Sequence, residues 1–128
     1  MNQSNTLLNL GWNMMNDKDQ DRLNIDKFSL YPFVTYSEEY ATWDMMLNRA
    51  KNVAAYGNQN LAEQLLNEQK SIPENWKKHN IIFPNTLWKS VTGHILCPYL
   101  SFKGNKWTLN YYWFLYDFHH NDRFLIIK

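Results

Sequence analysis

Between Tyr99 and Phe118 the chain carries nine aromatic residues: Tyr99, Phe102, Trp107, Tyr111, Tyr112, Trp113, Phe114, Tyr116 and Phe118. Neighbouring side chains of an extended chain point to opposite faces. One face of the segment therefore carries Trp107, Leu109, Tyr111 and Trp113, and the other Thr108, Asn110, Tyr112 and Phe114. A sheet with one wet face alternates apolar and polar residues. This strand begins that way and becomes aromatic on both faces from Tyr111 onward. If helices cover one face, the other needs cover too: residues 1–27, a second subunit or a ligand.

The rest of the chain supplies those helices. Ser37 is a good N-cap, and Glu38 and Glu39 follow where negative charge favours a helix start. Trp43, Met46, Leu47, Ala50, Val53 and Ala54 recur at helical spacing, and Gly57 is a stop signal. A second helix is expected from Asn60, with Glu63 as capping partner and Leu61, Ala62, Leu65 and Leu66 as its stripe, ended by Pro73. The short link predicts an antiparallel αα-hairpin. Thr6–Asn16 reads as one short helix weakened by Gly11. Phe28–Thr35 reads as an extended segment that Pro32 confines to an edge.

After Pro84 the pattern turns to strands. Ile95–Phe102 and Lys106–Leu115 flank the turn signal Lys103-Gly104-Asn105. Leu87 and Trp88 suit a shorter strand, and Arg123–Ile127 a last one. The expected fold is α+β, an N-terminal αα-hairpin packed on a C-terminal antiparallel β-meander of three to four strands. One domain is expected over residues 1–128, with 1–27 irregular or partly disordered.

A chain of 128 residues, 45% hydrophobic, has material for one core. Neither an export signal nor an apolar run of the ~20 residues needed to span a bilayer is evident, so a soluble cytoplasmic protein without membrane contact is expected. The net charge of +1 argues against a strongly electrostatic nucleic-acid binder and leaves self-association open. Charge is nevertheless split. Residues 1–76 hold six basic and ten acidic residues, and residues 77–128 seven and two.

Chemistry-bearing patterns are sparse. Asp17, Asp19 and Asp21 match the first three ligand positions of an EF-hand loop, but Arg22 stands where Gly is needed and Phe28 where a bidentate Glu is needed. His94, Cys97, His119 and Asp117 are the one set that could form a small pocket, with His120 beside them. Their spacing matches no zinc pattern, and Cys97, the single cysteine, precedes Pro98 with no helix N-terminus to activate it. No metal, cofactor or catalytic residue is expected, and an enzyme is the less favoured class.

The leading expectation is a non-enzymatic interaction module that uses the aromatic sheet, with Trp107, Tyr111, Trp113, Tyr112 and Phe114 as interface or ligand-binding residues. Its simplest partner is a second copy in a two-fold dimer, with an unidentified protein or small molecule next. A second reading is single-stranded nucleic-acid binding, with Lys103, Lys106, Lys89 and Arg123 beside stacking rings. The third is a small ligand-binding protein or enzyme with a pocket near His94, Cys97 and His119.

Phe83, Trp88, Gly93, Pro98-Tyr99-Leu100, Gly104, Trp107, Leu109, Leu115 and Asp122-Arg123 form a spaced pattern. It resembles short uncharacterised bacterial proteins carried on mobile gene cassettes, such as those of integrons, over roughly residues 83–126. Phe118 stands where that pattern would have another Trp. The resemblance implies no particular activity. It favours an accessory protein over a metabolic enzyme.

Overall fold

Gly104 and Asn105 make a two-residue turn that sets Lys103 opposite Lys106, and from it the longest strand pair grows. Strand β5 (Ile95–Lys103) and strand β6 (Lys106–Trp113) pair antiparallel along their whole length. In this computed structural model residues 7, 8, 10–17 and 24–128 are described. The remaining strands are β1 (Asn13–Asp17), β2 (Phe28–Pro32), β3 (Asn80–Ile82), β4 (Thr86–Lys89) and β7 (Asp122–Ile127). Together they make a seven-stranded mixed sheet in the order β1-β4-β5-β3-β7-β2, with β6 on the other edge of β5. The β3–β7 pair is parallel and every other pair antiparallel.

β3 and β4 share one side of β5. Between the Ile82–Tyr99 and Trp88–Leu96 pairs lie five residues on one side and two on the other. The three extra residues interrupt the ladder after Phe83, and Pro84, which can donate no ladder bond, sits in the break. Beyond the break the sheet forks: β3 continues into β7 and β2, while β4 continues into β1.

Two α-helices occupy opposite faces of this sheet. Helix α1 (Trp43–Asn52) starts at Thr42, whose Oγ1 accepts from Met45 N at 3.2 Å. Helix α2 (Gln59–Asn67) starts at Asn58, whose Oδ1 accepts from Leu61 N at 2.9 Å. Met46 and Ala50 of α1 pack with Ile82, Cys97 and Phe124. Leu61, Ala62 and Leu65 of α2 pack with Ile81, Leu100 and Leu125. Ile81 and Ile82 are adjacent on one strand, as are Phe124 and Leu125, so the two helices cover two faces.

Their link passes through the fork. Tyr56 N donates to Leu125 O at 2.8 Å on the β7 side. On the β4 side Asn85 Nδ2 donates to Ala55 O at 3.1 Å, and Gln59 N donates to Thr86 Oγ1 at 2.9 Å. The expected αα-hairpin on one face of a three- to four-stranded meander is therefore incorrect. The chain between the helices crosses a gap in a seven-stranded sheet instead of reversing above it. The expected helix at Thr6–Asn16 is also replaced, in its second half, by β1, which pairs with β4 through Met14–Trp88.

The expected helix start, with Ser37 as N-cap, is five residues early, because Glu38 has another role. Arg49 on α1 grips its carboxylate with two bonds of 2.7 and 2.6 Å and also donates to Phe33 O at 2.8 Å. Thr35 N donates to the same carboxylate at 2.8 Å. The Arg49 bonds, then the Thr35 amide, hold the Glu38 pKa down at about 2 from 4.5. A depressed carboxylate favours folding when ionised, so this contribution is fully present above 4.5 and is lost as pH falls toward 2. Glu38→Gln should therefore flatten the loss of stability across that window, read as the urea midpoint at successive pH values. A parallel, undiminished decline in the variant would assign the acid sensitivity elsewhere.

The free edge of β6 is blunted at both ends. Phe83 N donates to Pro98 O, so the Pro98 carbonyl faces β3, and its partner Tyr111 directs its own backbone groups outward, as do Trp107, Leu109 and Trp113. Gln69 imitates a neighbouring strand at Trp107, accepting from its N–H at 2.9 Å and donating to its carbonyl at 3.2 Å. Trp43 Nε1 donates to Trp113 O at 3.1 Å. Such plugs oppose edge-to-edge pairing of sheets.

No helix among the described residues is long and apolar enough to cross a membrane.

Candidate functional site

The α1 helix reaches only part of its face. Beyond its cover, Tyr99 of β5 and Tyr112 of β6 lie on the same side of the sheet, rings edge to face at 5.4 Å. Behind them, Tyr112 stacks on buried Phe118 at 4.4 Å, and Phe118 exchanges two backbone hydrogen bonds with Ala41. The Tyr112 hydroxyl donates to Asp117 O at 2.5 Å, which fixes how the chain leaves β6. Trp43 Nε1 also donates to Tyr116 O at 3.1 Å, and Tyr116 N donates to Trp113 O, so residues 113–116 form a turn tied to the first residue of α1.

These elements enclose an open cleft of about 540 Å³, lined by Tyr99, Tyr111, Tyr112, Trp113 and Tyr116, with Leu115, Asp117 and His119. Among the described residues neither Lys nor Arg lines it. The same sheet face continues from Tyr99 and Tyr112 as a polar ladder in which Asn110 Nδ2 donates to Ser101 Oγ at 3.1 Å and to Thr108 Oγ1 at 3.0 Å. Asp122 of β7 shares this face. It is buried, and accepts from His119 N at 2.9 Å and from Asn80 Nδ2 at 3.1 Å. Burial pushes its carboxyl above the ordinary aspartate range, and the His119 and Asn80 bonds draw it partly back. Burial raises the hydroxyls of Tyr99 and Tyr112 as well, with the Asp122 charge adding to the effect on both. Their hydroxyls accordingly stay protonated near neutral pH, the Tyr112 O–H donating to Asp117 O.

The turn beside the cleft is exposed. Trp113, Phe114, Leu115 and Tyr116 keep 38, 37, 70 and 64% of their surface in solvent. Four consecutive large apolar or aromatic residues at these exposures form the kind of contiguous patch that marks a contact surface.

The residues expected from sequence are distributed unevenly over this geometry. Tyr111, Tyr112 and Trp113 line the cleft, and Phe114 lies on its rim, stacked with His94 at 5.5 Å. Trp107 does not reach the surface: it is 2% exposed, packed under α2 with Leu100 and Leu109. Lys103 and Lys106 face each other at the hairpin turn, eight residues along from Phe114, or about 26 Å in an extended strand. Lys89 ends β4 at the Phe114 end, and Arg123 donates to the carbonyls of His120 and Asp122 on β7. The four cations thus do not form one track beside the rings.

Of the other set, His119 and Asp117 line the cleft, whereas His94 stands in the β4–β5 turn and Cys97 is fully buried. Burial raises the Cys97 thiol far above its ordinary range, and its Sγ–H donates to Phe83 O at 3.4 Å, so it is no nucleophile. Among the described residues no group of three or more His, Cys, Asp and Glu is placed to hold a metal ion. The Asp17–Asp21 stretch lies largely outside the described residues.

Tyr99, Leu115, Tyr116 and Asp122 complete the site; the sequence marks them in the aromatic run or the spaced pattern, not as contact residues. A two-residue turn at Gly104-Asn105 was a usable signal for Tyr99, because its register places Tyr99 diagonally across from Tyr112. No family model, curated protein or solved structure matches the chain, so its chemistry is read from its own residues.

Proposed function

We propose that this protein is a non-enzymatic binding module whose contact surface is the aromatic cleft and the 113–116 turn beside it. The observation that carries the reading is a 540 Å³ cleft lined by Tyr99, Tyr112 and Tyr116 and by the β6 edge at Tyr111 and Trp113, continuous with four exposed apolar or aromatic residues. Pockets for small ligands are mostly apolar with a few convergent polar groups, which here are Asp117, His119 and the tyrosine hydroxyls. A catalytic role has less support. The Cys97 thiol is buried, donates to Phe83 O and does not line the cleft that holds His119 and Asp117.

A second copy of the chain remains a candidate occupant through the exposed turn. It would bind through side chains, because Gln69 and Trp43 plug the ends of the β6 edge. Native mass spectrometry of the purified, untagged protein tests both forms of the reading, with Tyr116→Asp as the comparison. The expected result is an adduct or a dimer mass that disappears in the variant. An adduct identifies a ligand and a dimer identifies a second copy. A bare monomer in both proteins, together with failure of the probe titrations described next, would overturn the reading.

A further inference from the structure

Asp117 and Asp122 are the two acidic residues of a 52-residue segment, 77–128, that carries seven Lys and Arg. Both are placed at the cleft: Asp117 lines it, and Asp122 lies close enough to act electrostatically on Tyr99 and Tyr112. None of the seven cations lines it. Arg123, next to Asp122 in sequence, has its guanidinium on the carbonyls of His120 and Asp122, and it borders a different depression, with Trp76 and His79. The most basic part of the chain therefore presents a cleft whose charged lining is acidic.

Aromatic rings add to that polarity. Each presents a negative face to which a cation is drawn, most strongly where water is displaced. The rings of Tyr99, Tyr112 and Tyr116 with a carboxylate, and among the described residues no competing ammonium or guanidinium, repel anions and suit a cation that also has apolar surface to bury. We propose that the cleft binds an organic cation, an alkylated ammonium group, held by Tyr99, Tyr112 and Tyr116 with Asp117 as counter-charge. This rests on the reading of the cleft as the binding surface. Leu115 gives the alkyl substituents an apolar contact, and the Tyr99 and Tyr116 hydroxyls suit a polar arm. The group can belong to a free small molecule or to a methylated lysine side chain of another protein; the chemistry recognised is the same.

The test is a titration of the full chain followed by backbone amide NMR shifts, with tetramethylammonium chloride against tert-butyl alcohol, its uncharged counterpart of similar shape, and sodium chloride at matched ionic strength as reference. The expected result is a saturable shift of the amides of Tyr99 and residues 111–119 with tetramethylammonium, about tenfold tighter than with tert-butyl alcohol. Asp117→Asn should weaken the cation several-fold and leave the alcohol unchanged. Asp117 is exposed and its structural contact is through its backbone carbonyl, so the variant keeps the fold. Equal affinity for cation and alcohol would overturn the cation assignment while leaving the cleft as a binding surface. No shift at these amides with either probe would overturn both. A trimethyllysine peptide that binds more tightly than tetramethylammonium would place the group on a protein partner, and equal affinity would place it on a free molecule.

Discussion

Gly57→Ala is expected to cost about 4 kcal/mol, a large share of the roughly 5–15 kcal/mol that holds a domain of this size. Gly57 is buried where the link between the helices crosses the sheet, at φ +120°, a conformation that side-chain-bearing residues rarely adopt. A β-carbon there would stand 2.6 Å from Phe83 Cδ1 and 3.0 Å from Cε1. Phe83 cannot yield easily: it is fully buried among Leu61, Ile81 and Leu125. Overpacking of this kind costs about 1–3 kcal/mol and a strained backbone conformation about as much again. Urea unfolding at neutral pH measures the total. Phe83→Leu should recover part of the loss when combined with Gly57→Ala, because it removes the ring but not the backbone strain. If Gly57→Ala shifts stability by less than about 0.5 kcal/mol, the ordinary range of a surface substitution, the crossing is not as tight as described.

That crossing explains what the sequence could and could not disclose. β5, β6, β4 and β7 are legible because a Gly-Asn turn and dense β-branched and aromatic residues mark them locally. β3 is three residues long, too short to show a period, and its parallel partner β7 lies some forty positions away. Pro84 reads as a boundary, whereas it sits in a break within one side of the ladder to β5. Both helices are legible in their apolar spacing, but a short link looks the same whether it turns back above a sheet or goes through it. The informative signal was the aromatic character of both faces from Tyr111. It was taken to require a subunit, a ligand or the N-terminal segment as cover, because both helices were assigned to one face. In the structure each helix covers a face, Leu7 and Trp12 of the N-terminal segment cover Trp88, Leu96, Tyr111 and Trp113, and what α1 leaves open between Tyr99 and Tyr116 is the cleft.

The site was legible in the same partial way. Tyr111, Tyr112 and Trp113 stood out by ring density alone, and Asp117 and His119 by charge and histidine content. Trp107 stood out for the same reason yet packs inward, since strand parity assigns it to a face but does not say which element covers that face. Asp122 is visible in the spaced pattern but not as part of a site, because its contacts are non-local: Asn80 lies 42 residues away. Net charge was a poor guide as well. The basic excess of the second half lies away from the cleft, at the hairpin turn, the strand ends and the segment after α2, while its two acids converge on the cleft.

Trp88→Ala should have the other large effect, about 5 kcal/mol, enough to leave the chain substantially unfolded. Trp88 is fully buried on the α2 face with Leu7 and Leu96, flanked by Trp12 and Tyr111. Truncating a buried Trp costs about 3–5 kcal/mol. Its indole Nε1 also donates to Gln59 Oε1 at 2.7 Å, and Gln59 is 1% exposed. Gln59 is fixed from its other side, by its own N–H on Thr86 Oγ1 and by its Nε2 on Glu63, so its carbonyl cannot turn toward solvent once the indole is gone. An orphaned buried acceptor adds about 1–3 kcal/mol. Trp88→Phe separates the two contributions, because it keeps most of the packing and loses the bond; it should cost about 2–3 kcal/mol. The bond is then tested by a double-mutant cycle: Gln59→Met should be less costly in the Trp88→Phe background than in the wild type, by about 1–2 kcal/mol. An additive cycle would show that Trp88 acts by packing alone. Equal losses for Trp88→Phe and Trp88→Ala would instead make the hydrogen bond, and with it the docking of α2 onto β4, the dominant contribution at this position.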